Sequence, residues 1–184
     1  MIDIVQKGAD VLREKAKEIP LSDIGSPFIK GVIRSMHEAL ASRDDAVAIA
    51  APQLGHPIRM FMVSKRVFIA EAGETEEKSV GAEDVVFMNP VITKRSRKKV
   101  EADEGCLSID GWYGKTKRSE KVTLRAYDEA GDPIERGASG LLAQVFQHEV
   151  DHLNGILFDD HAIELFEISR EENGSGTETP SHEK

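Results

Sequence analysis

Apolar side chains recur at Ile29, Val32, Ile33, Met36 and Leu40, a spacing that puts them on one face of a helix. Ser26 suits an N-cap and Pro27 the first helical position, so the pattern predicts a helix over about 27–42, ended by a loop at Asp44-Asp45. The small apolar run Ala46-Val47-Ala48-Ile49-Ala50-Ala51 is short and stops at Pro52, which predicts an extended segment near the core. Residues 58–63 predict a strand. Residues 71–84, rich in Glu, Gly, Ser and Thr, predict a solvated loop. Val85-Val86-Phe87-Met88 predicts a short strand closed by Asn89-Pro90. Positions 94–99 carry five basic residues in six and predict a solvated edge strand, where charge blunts the sheet edge. Val122, Leu124 and Ala126 alternate with Thr123, Arg125 and Tyr127, as in a half-buried strand, and residues 128–132 turn the chain. Leu142, Val145, Phe146 and Leu153 form the apolar stripe of a second helix, over about 139–153, with Gly155 just past its end.

The order helix, short strands, helix predicts an α+β domain, with an N-terminal helix and antiparallel β-sheets packed around a central helix. Residues 1–168 form a single domain in this reading, and 169–184 a disordered polar tail. No internal repeat interrupts it.

Composition narrows the function. The chain has 184 residues, 40% of them hydrophobic, enough for one domain with a real core. Its formal net charge is -9, which argues against non-specific nucleic-acid binding and against docking on an anionic membrane, and no specific nucleic-acid partner is expected. No basic segment leads into an apolar core at the N-terminus, and no apolar run approaches the ~20 residues of a membrane helix. A cytoplasmic monomer is the expectation. Cys106 is the only cysteine, so no intramolecular disulfide forms.

The second helix carries chemistry. His148-Glu149-Val150-Asp151-His152 reads H-E-x-x-H. Two imidazoles four residues apart lie on one side of a helix and can share one metal, with Glu149 placed as general base. A catalytic site of this kind takes three protein ligands and keeps a position for water. The third ligand must be a Cys, His, Asp or Glu elsewhere, and Cys106, set in Glu104-Gly105-Cys106-Leu107-Ser108, is the strongest candidate. Gly105 permits close backbone approach there. His37, His56, His161 and His182 read as surface or satisfied histidines.

Three blocks now stand in order: Ala46 to Gln53, Glu104-Gly105-Cys106-Leu107-Ser108, and Gln147-His148-Glu149-Val150-Asp151-His152. They resemble the three signature motifs of the peptide deformylases, over roughly residues 4–165, with Leu12-Arg13 and Asn89-Pro90 also in family-like places. The resemblance implies removal of the formyl group from the N-terminal formylmethionine of nascent polypeptides, with transient ribosome association. It implies one divalent metal held by Cys106, His148 and His152: ferrous iron, with nickel, cobalt or zinc able to occupy the site. Metal-bound water would attack the formyl carbon, with Glu149 moving the proton to the leaving amine. Gln53 and the Leu107 N–H would stabilise the oxyanion. Ala48, Gly105 and Gln144 would line the substrate site, and Asp151 would pair with Arg118 as a structural ion pair.

The chain departs from the family pattern at Ala46 and Ala48, where glycine is usual, at Gln144, where an apolar residue is common, and at Asp110, where proline is common. Two readings compete: a metallopeptidase, which shares H-E-x-x-H, and a metal-binding homologue that holds N-termini without turnover. A thiolate ligand argues against the first, and retained Glu149 and Gln53 against the second.

Overall fold

The computed structural model describes residues 2–73 and 83–167. Helix α1 spans Pro27–Ala41. Ser26 starts it, its hydroxyl accepting from the Ile29 N–H at 3.3 Å, so one of the four unpaired N–H groups of the first turn is satisfied. The apolar stripe predicted for it is buried.

Among the described residues, eight strands follow in two antiparallel sheets. The larger has the order β1-β2-β3-β6-β7, from β1 (Ala48–Ala50), β2 (Met60–Val63), β3 (Val85–Arg95), β6 (Lys121–Tyr127) and β7 (Pro133–Ser139). The smaller has the order β4-β5-β8, from β4 (Lys99–Gly105), β5 (Trp112–Ser119) and β8 (Glu164–Glu167). Helix α2 (Lys65–Ala72) follows β2, and α3 (Gly140–His152) follows β7.

Side chains alternate across the larger sheet, so its strands feed two cores. Ala48, Ala50, Phe61, Val63 and Phe87 face α3, where they meet Leu142, Val145, Phe146 and Val150. Ile49, Met60, Met62, Val86 and Met88 face α1. Both faces are covered, which is why β2 is apolar at every position. Phe61, Phe87 and Phe146 pack as a trio with centroids 5.1–6.0 Å apart. Burying each such ring is worth about 1.5–3 kcal/mol, and Phe146 thereby packs α3 onto the sheet. The α+β architecture around a central helix is therefore as predicted.

Several boundaries differ from the expectations. The strand expected over 85–88 continues to Arg95, because Asn89, at φ 49°, and Pro90 form a bulge instead of an end. Asn89 then clamps Ile19, accepting from its N–H and donating to its C=O, both at 2.8 Å. Lys94 and Arg95 lie in the exposed part of β3 that pairs with β6 alone, past the Val85–Met88 stretch that pairs with β2, and Lys99 opens β4, an edge strand of the smaller sheet. The loop expected from residue 71 overlaps the end of α2. That helix is capped by Ser64 and closed by Gly73 at φ 69°, and residues 74–82 lie outside the described residues. Ala51 leaves the extended segment and begins a 3₁₀ turn, Ala51–Leu54. The proposed tail also lies outside the described residues. No helix among the described residues is long and apolar enough to cross a membrane.

Candidate metal centre

Two elements bring three side chains to one point. Helix α3 presents His148 and His152 one turn apart, their ring centroids 4.9 Å from each other. The loop after β4 brings Cys106, whose Sγ lies 3.2 Å from His152 Nε2. The candidate ligand atoms of Cys106, His148 and His152 all lie within 4.8 Å of one another, and no other such group occurs among the described residues. One soft sulfur and two imidazole nitrogens at this spacing suit a single divalent transition-metal ion.

The shell behind these ligands is charged and buried. His148 Nδ1 lies 3.1 Å from Glu104 Oε2, which leaves Nε2 for a metal. Glu104, 3% exposed, accepts from Arg118 Nε at 2.6 Å and Nη2 at 2.7 Å, and from the Thr116 hydroxyl at 2.9 Å. Arg118 turns its third nitrogen, Nη1, to Asp151 Oδ2 at 2.5 Å. One guanidinium on β5 thus ties β4 to the metal helix. Burial alone would raise the Glu104 carboxyl, but the hydrogen bonds from Arg118 and His148 hold it at about 2. Burial works against a charged His148, and its hydrogen bonds to Cys106 and Glu104 outweigh that and raise it. Burial and the neighbouring His148 depress His152.

Glu149 sits differently. It is 4% exposed, and its Oε2 has no hydrogen-bond partner among the described residues. Burial pushes its carboxyl up to about 7. A buried carboxyl with an unspent oxygen beside the candidate metal ligands is a candidate for proton exchange.

Gln53 supplies a donor from the opposite wall. Its Oε1 accepts from the Ala50 N–H at 2.8 Å, which turns Nε2 towards Cys106 Sγ (3.6 Å) and Ser108 Oγ (3.2 Å). No acceptor among the described residues takes the Leu107 N–H. A cavity of about 310 Å³ opens beside the triad, with Ala48, Gly105, Leu107, Gln144, His148 and Glu149 in its walls.

A family model for polypeptide deformylase matches residues 1–167. The chain belongs to the peptide deformylase family. Peptide deformylase of Halothermothrix orenii is 36% identical over 170 residues, covering 91% of this chain and 97% of the relative. The chloroplastic/mitochondrial peptide deformylase 1A of Arabidopsis thaliana is 37% identical over 165 residues, 88% of this chain, and the chain spans 61% of its length. The Met-Ala-Ser-bound crystal structure of the class I type b peptide deformylase of Acinetobacter baumannii superposes with a TM-score of 0.75 at 30% identity, over 88% of this chain and 98% of that one.

Within this deformylase framework, every residue anticipated for the site lies at or behind it. The alanines at 46 and 48 are unstrained, since Asn89 is the only non-glycine with positive φ among the described residues. Gln144 lines the cavity, but its Nε2 is spent on the Asp103 carbonyl at 2.7 Å. The close approach at Gly105 is made by Tyr113, whose ring would lie 2.6 Å from any Cβ there. Arg43 pairs with Asp110 across the cavity rim at 3.6 Å. The other described histidines are engaged elsewhere: His37 with Asp84 at 3.0 Å, His56 against Phe28, and His161 3.8 Å from Asp151. Glu104 and Thr116 were not anticipated. Glu104 opens the cysteine motif, and its place two residues before Cys106 was the available signal.

Proposed function

We propose that this chain removes the formyl group from N-formylmethionyl nascent peptides, releasing formate and a free amine. The observation that carries the reading is the Cys106–His148–His152 triad with the unpartnered Glu149 Oε2 beside it. A divalent ion bound by those three residues, ferrous iron in the first instance and nickel, cobalt or zinc as substitutes, would polarise the formyl oxygen and acidify water.

The chain's own groups do the rest. Glu149 takes a proton at Oε2 and delivers it to the departing amine. Gln53 Nε2 and the Leu107 N–H donate to the oxygen that gains charge, and losing one such donor typically costs ~10²–10³ in rate. The substrate's first residues lie in the cavity between Ala48 on β1 and Gly105 at the end of β4, with Gln144 on the third side. Glu104 holds the His148 ring, and Arg118, itself paired with Asp151, holds Glu104. The setting proposed is a cytoplasmic monomer meeting nascent chains as they leave the ribosome.

Two measurements test this. Protein purified anaerobically with iron is expected to release formate from formyl-Met-Ala-Ser, and absence of formate from metal-loaded protein overturns the reading. Cys106→Ala removes a ligand outright. Losing a partner behind a ligand already costs ~10–100-fold in affinity, so this variant should bind metal at least ~100-fold more weakly by competition with a chelating dye.

A further inference from the structure

The segment before α1 touches both proposed oxyanion donors. Residues 2–6 lie outside both sheets. The Val5 N–H donates to the Gln53 carbonyl at 2.8 Å, and the Lys7 N–H donates to the Ser108 carbonyl at 2.7 Å. Between them, Gln6 Nε2 donates to the Leu107 carbonyl at 3.1 Å and to the Ile4 carbonyl at 3.0 Å, which spends both hydrogens of its amide. The strap is anchored at its ends. Ile2 and Ile4 pack on the core beneath α1, and the Lys7 ammonium pairs with Asp159.

Gln53 belongs to the turn after β1 and Leu107 to the loop after β4, so the two donors come from different sheets. Among the described residues, the direct links between these two segments on this side of the site all come from one group, Gln53 Nε2, which reaches Ser108 Oγ at 3.2 Å and Cys106 Sγ at 3.6 Å. The strap supplies the other ties and so sets the distance between the segments. We propose that Gln6 is a positioning residue, through which residues 4–7 hold the Gln53 amide and the Leu107 N–H at the spacing needed to meet one oxygen. This rests on the oxyanion role given to Gln53 and Leu107 above.

The side chain of Gln6 is exposed, so water can replace it on the Leu107 carbonyl, and little stability is at stake. Geometry is what changes. Sites of this kind need donors held within ~0.5 Å, and a 1 Å misplacement can cost ~10²-fold. A looser strap should therefore lower turnover without loosening the fold.

Two variants test it. Gln6→Ala removes the donor, and Gln6→Glu keeps the shape but sets a carboxylate against two carbonyl oxygens. Both are expected to lower kcat by ~3- to 10-fold, with KM, metal content and Tm unchanged. Combined with Gln53→Ala, the Gln6 effect should shrink below ~2-fold, because a positioning residue cannot misplace a donor already removed. Exchange of the Val5 and Lys7 amide protons should quicken by ~10-fold or more in both variants. Unchanged kcat in both single variants overturns the proposal, and so does the full Gln6 loss persisting beside Gln53→Ala. If the iron-loaded wild-type chain releases no formate, the deformylase reading fails by itself. Amide exchange then decides the strap: quickened exchange supports it, and wild-type exchange rates overturn it.

Discussion

Glu149→Ala is expected to bind its metal as the wild-type chain does and to release formate ~10²–10⁴-fold more slowly, the usual worth of a positioned general acid–base. Glu149 is no ligand in the Cys106–His148–His152 group, so its loss leaves the coordinating atoms in place. It is also buried, with Oε2 unspent, so no structural partner is stranded when it goes. Metal content by elemental analysis and formate release on the same sample check both halves. A variant within tenfold of wild-type rate sinks the assignment, and one without metal shows that Glu149 holds the site together. The pH dependence has a definite sign. A base must be ionised, so activity falls as pH drops through the Glu149 value. Burial sets that value at about 7, and a bound cation moves it lower.

The parts of the site legible in the sequence are those whose spacing is local. His148, Glu149 and His152 announce themselves because one helical turn fixes their relation, and α3 keeps a clean apolar stripe beside them. Helix α1 was legible for the same reason. Strand β5 was not. Its inward positions are Gly114, Thr116 and Arg118, all buried, so burial alternates along the strand while hydrophobicity does not. Glu104 was hidden by the same inversion, an inward-facing acid on β4 accommodated by partners far along the chain, Arg118 and Thr116 on β5 and His148 on α3. Helix α2 carries its signals at the ends, Ser64 and Gly73, but is short and has Lys65, Arg66 and Glu71 among few apolar side chains. The bulge at Asn89-Pro90 reads locally as a stop, because its continuation depends on β6 across the sheet. The strap at residues 4–7 had no periodicity to read, since its partners are main-chain carbonyls far along the chain.

Arg118→Met is expected to destabilise the protein by about 3–5 kcal/mol, the cost of stranding buried charge. For a chain of this length that lowers Tm by roughly 6–20 °C. Arg118 is 6% exposed and divides its guanidinium between Glu104, which is as deeply buried, and Asp151. Methionine fills much of the volume, so the loss measured is mainly electrostatic. Asp151→Asn should cost less, since the amide still accepts from Nη1 and the Glu104 pair remains. Glu104 also holds Nδ1 of His148, so metal affinity in Arg118→Met should fall by ~10–100-fold, as when the group behind a ligand is disturbed. The pH dependence separates this from simple loss of packing. In the wild-type chain Glu104 is held at about 2, below its ordinary 4.5. Its contribution is therefore complete above the ordinary value and is lost as pH falls from there towards 2. Without Arg118, only His148 opposes burial, which is the largest influence on this carboxyl, so the carboxyl is expected to rise above its ordinary value. Its contribution is then present at low pH and lost as pH rises. Urea unfolding of the two proteins between about pH 4 and pH 7 should show the stability gap widening as pH increases. A gap that is constant across that window would assign the loss to packing and remove Glu104 from the electrostatic account of the site.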